Sequence, residues 1–193
     1  MNIGIYIYDN AEVLDFSGPF EVFTTATRIC GDEKPFNVFM IGETGEMVTA
    51  RAGYQVKPNY KFDDHPPIDV LIVAGGFHYE EVKKATVLDW ITQQADQARF
   101  VASVCSGTWL LAEAGVVTNQ NVTTHWDDIS MLRQQYPDLS VLENARWIDE
   151  GKIITSAGIS AGIDMSLHLV GKFHSVRLAE KTARQMEYKW ERN

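Results

Sequence analysis

Cys105 stands in the run Ala102-Ser103-Val104-Cys105-Ser106-Gly107-Thr108-Trp109, where an apolar stretch gives way to a helix-forming one. A nucleophile on a sharp strand-to-helix turn needs small flanking residues so that the backbone can fold tightly around it. Ser103 and Gly107 meet that need. A sulfur at a helix N-terminus faces free backbone N–H groups and the positive end of the helix dipole, so a lowered pKa and thiolate character are expected. The competing reading is a buried structural cysteine, the commonest fate of a free one. Cys30, the other cysteine, ends a helical stretch without such a turn and reads as structural or exposed by chance.

Three further groups could serve a thiol. Gly75 and Gly76 follow the strongest apolar run of the chain. Two glycines let backbone N–H groups come close to a substrate and stabilise developing negative charge, although a plain strand-to-helix turn would look the same. Asp15, in Val13-Leu14-Asp15-Phe16-Ser17-Gly18-Pro19, is either a helix-start carboxylate or an acid held ready for proton transfer. His125, after Val122-Thr123-Thr124, could orient or titrate a thiolate, or simply pack. No metal is expected, because His168 and His174 are six apart and fall on different faces of a helix, and the cysteines have no ligand spacing. Neither a Walker loop nor a GxGxxG motif occurs, so no nucleotide cofactor is expected.

The elements that must position these groups alternate strand and helix, the pattern of a mostly parallel sheet covered on both faces. Residues 3–8, 36–41, 69–74 and 100–104 read as buried strands, and residues 47–57 as one or two short ones. A helix is expected from Ser17 as N-cap, with Pro19 in its first turn, to about residue 29. Others are expected over residues 80–98, 106–114, 160–172 and 176–189, with a hairpin over 145–156 turning at Glu150-Gly151. Parallel strands ending at Gly75-Gly76 and at Cys105 should meet at the carboxyl edge of the sheet, where ligands bind in such folds. Without repeats or linkers, residues 1–193 read as one domain.

Composition excludes several classes. The 17 Lys and Arg against 26 Asp and Glu give a net charge of −9, which disfavours nucleic acid and anionic membranes as partners. No run reaches the about 20 apolar residues of a membrane span. The opening Met1-Asn2-Ile3-Gly4 lacks the basic region of a signal peptide. With two cysteines and no disulfide framework, a cytoplasmic location is expected.

With these motifs in place, the chain resembles the ThiJ/PfpI family of the class I glutamine amidotransferase-like superfamily. The likeness rests on the first strand, Ala74-Gly75-Gly76, Val104-Cys105-Ser106-Gly107, Thr123-Thr124-His125 and Gly151-Lys152-Ile153-Ile154-Thr155-Ser156-Ala157-Gly158. It implies a flavodoxin-like three-layer α/β sandwich, an oxidation-sensitive cysteine, no cofactor and a homodimer. Leu14-Asp15-Phe16-Ser17-Gly18-Pro19, Thr124-His125-Trp126 and Ile159-Ser160-Ala161-Gly162-Ile163-Asp164 resemble the isocyanide (isonitrile) hydratase branch in particular. Many relatives carry Glu where this chain has Asp15, and the hydratases carry Asp. Their elbow usually reads Cys-Thr-Gly, and Ser106 keeps the hydroxyl. That branch implies a small-molecule substrate, with Cys105, Asp15 and Ser106 catalytic and Gly75, Gly76, His125 and Trp126 binding substrate or stabilising charge. The same core occurs in regulators with a C-terminal helix-turn-helix domain; the chain ends at Asn193 without one, so no DNA contact is expected. Glyoxalase-like or amidase-like chemistry and redox sensing at the same cysteine are the alternatives.

Overall fold

The computed structural model describes residues 1–192. The first strand, β1 (Asn2–Tyr6), is followed by helix α1 (Val13–Ile29), strand β2 (Asn37–Gly42) and the short strands β3 (Val48–Thr49), β4 (Gln55–Val56) and β5 (Tyr60–Lys61). Next come β6 (Val70–Val73), α2 (Ala85–Gln97), β7 (Phe100–Val104) and α3 (Gly107–Glu113). The remainder is β8 (Asn121–Val122), α4 (Ile129–Gln135), β9 (Ser140–Val141), β10 (Trp147–Glu150), β11 (Ile153–Ser156), α5 (Ala161–Phe173) and α6 (Val176–Gln185).

Seven strands form one sheet in the order β10-β11-β7-β6-β1-β2-β5, parallel throughout except for the β10–β11 hairpin. The central strand β6 is a fully buried run of Val, Leu and Ile, and its neighbours β1 and β7 are buried after their first residue, as a sheet covered on both faces requires. Helices α1, α5 and α6 pack together on one face, and α2 and α3 pack together against the other. The expected mostly parallel α/β architecture is therefore present. Strand β1 lies between β6 and β2, so the chain leaves it in both directions and opens a crevice at its carboxyl end. The ends of β1, β6, β7 and β11 all reach this edge.

Two helix starts differ from the sequence expectation. Helix α1 begins at Val13 with Glu12 as its N-cap residue, so Ser17 is inside the helix, where its Oγ donates to the Val13 carbonyl at 2.7 Å. Pro19 is also inside, and lacks the N–H that would bond to the carbonyl four residues back, that of Asp15. Burial of the α1 face drives this outcome: Asp15, Phe16, Gly18 and Pro19 are all buried. Helix α2 starts at Ala85, not residue 80, because Glu81 is drawn into the core. There it accepts a hydrogen bond from the Tyr6 hydroxyl and pairs with Lys84 at 3.0 Å. At the other end of the chain, α6 stops at Gln185. Fully buried Asp164 pairs with Arg146 and accepts from the Glu191 N–H at 2.9 Å, which ties the following segment to α5.

Candidate active site

Strand β7 ends in the elbow. Cys105 has φ 56, a left-handed backbone that an L residue adopts only at a cost of about 1–3 kcal/mol. The surroundings hold it there. The Cys105 N–H is shared between the carbonyls of Ser156 and Ala157, both at 3.2 Å, and its own carbonyl accepts from the Thr124 hydroxyl at 2.9 Å. Gly107 allows the close packing expected of it: a Cβ there would lie 2.3 Å from the Val73 carbonyl oxygen. The sulfur faces the backbone N–H groups of Ser106 and Ile159, which favour its ionised form. Ile159 is a β-branched residue at φ 50, a second strained position in the same site.

Asp15 comes from the first turn of α1 and is fully buried. The loop after β1 is tied to the glycine turn by bonds from Glu12 N–H to the Gly75 carbonyl (2.9 Å) and from Phe77 N–H to the Asn10 carbonyl (3.0 Å). These place the helix start beneath Gly75, whose N–H donates to Asp15 Oδ2 at 3.1 Å. The Cys105 thiol neighbours the same carboxyl and favours its ionised form, and Asp15 Oδ1 has no hydrogen-bond partner among the described residues. Asp15 and Cys105 thus form a buried acid–thiol pair.

The double glycine serves differently from the sequence expectation. Neither N–H is free to hold developing charge. That of Gly75 is occupied by Asp15, and that of Gly76 donates to Ser106 Oγ at 2.9 Å, while Ser106 Oγ donates back to the Gly76 carbonyl at 2.9 Å. Glycine is required here for close approach: a Cβ on Gly75 would meet Ser106 N at 2.6 Å and Asp15 Oδ2 at 2.8 Å. Gly75, Gly76 and Ser106 therefore latch the acid-bearing helix to the elbow. The backbone donors directed at the reacting atom are those of Ser106 and Ile159.

A depression of about 220 Å³ opens over the sulfur, lined by Gly76, His78, Ser106, His125, Asp128 and Ile159 among others. His125 belongs to it, packed so closely on Gly158 that a Cβ there would lie 2.2 Å from its ring. Trp126 does not line it. A short helical turn beginning after His125 swings Trp126 outward, 75% exposed, into a neighbouring groove. His78 and Asp128 were not singled out from the sequence. His78 is buried and its pKa is lowered by that burial, whereas burial raises that of Asp128. Tyr8, buried near Asp15 and Cys105 with a hydroxyl lacking a conventional partner, was also missed. None of the three carries a local motif: Tyr8 follows β1, His78 lies in the turn after the glycine pair, and Asp128 ends the short helical turn Trp126–Asp128.

The profile of the DJ-1/PfpI family matches residues 1–172. The chain is 32% identical over 190 residues to isonitrile hydratase of Pseudomonas putida, covering 97% of this chain and 78% of that protein. The chain belongs to the DJ-1/PfpI family. It is also 28% identical to the HTH-type transcriptional regulator GbdR of Pseudomonas aeruginosa, over 100% of this chain but only 52% of the regulator. Among solved structures, a ThiJ/PfpI family protein from Pseudomonas syringae superposes with a TM-score of 0.87 at 25% identity, covering 99% of this chain and 76% of that one. Drosophila melanogaster DJ-1beta gives 0.82 at 19% identity, covering 98% of each, a likeness of fold.

In this DJ-1/PfpI site the electrostatics run against the expected free thiolate. Burial, then the Asp15 charge, pushes the Cys105 thiol up to about 12, outweighing the N–H groups of Ser106 and Ile159. Burial, then the Glu12 charge, raises Asp15 from 3.8 to about 8, against the lowering influence of Gly75 N–H and the thiol. The helix-terminus argument failed because α3 is only seven residues long and its start is buried. The pair titrates as a unit, and near neutrality both groups are protonated. The sign for stability follows. Below about pH 4 the Asp15 carboxyl is protonated in both folded and unfolded chains; between about 4 and 8 only the folded chain keeps the proton, so stability falls as pH rises. Asp15→Asn should flatten that decline, read as the urea midpoint across this window. An unchanged decline would show that Asp15 is ionised in the fold.

Proposed function

We propose that this chain is a cofactor-independent cysteine enzyme of the isocyanide-hydratase type. The observation that carries the reading is the fully buried Asp15 carboxyl beside the Cys105 thiol, one acid and one nucleophile able to exchange a single proton. The similarity to a protein named isonitrile hydratase supports it.

In the proposed reaction, loss of one proton from the pair gives mainly Asp15 carboxylate and Cys105 thiol, and the minor tautomer in equilibrium with it, protonated Asp15 and Cys105 thiolate, is the form that reacts. The sulfur attacks the terminal carbon of R–N≡C, forming a C–S bond and leaving the electron pair on that carbon. A carbon bonded to Sγ is brought beside the carboxyl that contacts Sγ, within the about 2.6–3.2 Å reach of a general acid or one water beyond it. Asp15 delivers the proton and becomes carboxylate, giving a thioimidate. It then takes a proton from the water that adds to the thioimidate carbon and passes it to the nitrogen, on which the C=N π pair has settled. As the tetrahedral adduct collapses, Asp15 takes the hydroxyl proton, the C=O bond forms, the C–S bond breaks to restore the thiolate, and R–NH–CHO is released. The sum is one isocyanide plus one water to one N-substituted formamide. Ser106 and Gly76 hold the elbow against the acid-bearing helix, and the Ser106 and Ile159 N–H groups favour the thiolate that leaves. His125 walls the substrate depression, while Trp126 borders it from the adjacent groove.

The test offers purified protein an aryl isocyanide beside methylglyoxal and identifies products. Formation of the aryl formamide, with methylglyoxal untouched, supports hydration. Consumption of methylglyoxal alone assigns glyoxalase-like chemistry instead. The similarity to helix-turn-helix regulators over the whole of this chain favours a second reading in which the depression binds or senses without turnover, and inertness toward both substrates would select it. The same proposal includes a cytoplasmic homodimer: light scattering should give twice the 21.7 kDa chain mass, and a monomer would remove that part.

A further inference from the structure

We propose that Cys30, Glu33 and His174 form a surface Zn²⁺ site, remote from and independent of the proposed reaction. Cys30 caps the C-terminal end of α1, Glu33 lies in the turn that follows, and His174 caps the C-terminal end of α5. One ligand atom from each, sulfur, carboxylate oxygen and imidazole nitrogen, lies within 4.8 Å of the others. Ligands to a tetrahedral Zn²⁺ at about 2.0–2.3 Å stand about 3.3–3.8 Å from one another, so the three need only shifts on the order of an ångström to close on an ion. The pair His174 Nε2 and Glu33 Oε1, at 2.9 Å, would open by a few tenths of an ångström.

Several features of the surroundings favour a cation. The C-terminal ends of α1 and α5 meet here, and their unpaired carbonyls carry partial negative charge. His174 already has the outer partner that a metal-bound imidazole uses: Nδ1 lies 3.0 Å from Ser175 Oγ, a side chain fixed by the Leu178 N–H as the cap of α6. Opposing influences are the start of α6 and the Lys181 ammonium, which acts on Cys30. Thiolate, imidazole and carboxylate together with a water fit zinc better than the all-oxygen shells of Mg²⁺ or Ca²⁺. On binding, the Cys30 S–H bond breaks, its proton goes to solvent and a Zn–S bond forms. The His174 ring proton moves from Nε2 to Nδ1, where Ser175 Oγ accepts it. No spacing rule finds this group, because Glu33 and His174 are 141 residues apart.

Calorimetry with Zn²⁺ on the reduced full-length Cys105→Ala chain isolates the site from the buried thiol. The expected result is one ion bound per chain with release of about one proton, read from the dependence of the heat on buffer. Co²⁺ in place of Zn²⁺ should give a thiolate-to-metal charge-transfer band. Cys30→Ser should abolish that band, and Cys30→Ser and His174→Ala should each raise the Kd for Zn²⁺ at least about tenfold, with unchanged circular dichroism. Absence of stoichiometric binding, or affinity unaltered by either substitution, overturns the assignment. Isocyanide turnover does not enter this readout, so the two proposals fail separately.

Discussion

Cys105→Ala should reduce isocyanide turnover to the uncatalysed level, a loss on the order of 10⁶-fold as for other covalent nucleophiles. The substitution removes only the sulfur. The left-handed backbone at φ 56, the Thr124 hydroxyl on the residue 105 carbonyl and the Ser106–Gly76 latch do not depend on it. A folded, inactive protein is therefore the expected outcome. Cys105→Ser should be equally inactive: its hydroxyl is far less acidic than a thiol, and burial beside Asp15 disfavours any anion there. Residual turnover of either variant above a few per cent would mean that water is activated by some other group and no C–S bond forms.

Asp15→Asn should lower turnover by about 10²–10⁴-fold, the range for a lost acid–base group. The replacement amide keeps an oxygen for the Gly75 N–H, so the glycine turn retains its anchor. Asp15 is not the N-cap of α1, a place taken by Glu12, and the helix start has no need of its charge. The pH profile separates chemistry from packing. In the parent, the reactive form has one proton fewer than the resting pair, so kcat/KM should rise with pH and level off above about 8, where Asp15 titrates. Without the carboxyl that limb should vanish. A variant that is merely loosened would keep it at reduced amplitude, and a variant with the parental rate would make Asp15 structural.

Much of this was legible in the sequence because the fold rests on patterns that tertiary structure reinforces. The buried runs around Val70–Val73 and Phe100–Val104 had to be central strands, and Gly107 and Ser103 had to flank a tight turn. Other features depended on contacts across the chain. Ser17 and Pro19 look like a helix start until the burial of α1 places them in its interior. The Gly75 and Gly76 amides look free until Asp15 and Ser106, 60 and 30 residues away, occupy them. The helix dipole and backbone N–H groups predict a thiolate at Cys105, whereas desolvation and a neighbouring carboxylate outweigh a short helix. His78 reaches the depression from a turn and Asp128 from the short helical turn Trp126–Asp128, and no local pattern records either course.

The coupling of Asp15 to Cys105 is most directly measured by ultraviolet thiolate absorbance against pH in the parent, Asp15→Asn and a Cys105→Ala blank. The expected parent curve shows little thiolate through the first ionisation near 8 and its main rise toward about 12. Removing the Asp15 charge should move that rise to lower pH, because the carboxylate is one of the two causes that hold the thiol up. A full thiolate step at the ordinary cysteine value of about 8.5, unmoved by Asp15→Asn, would contradict a shared proton and with it the proposed mechanism.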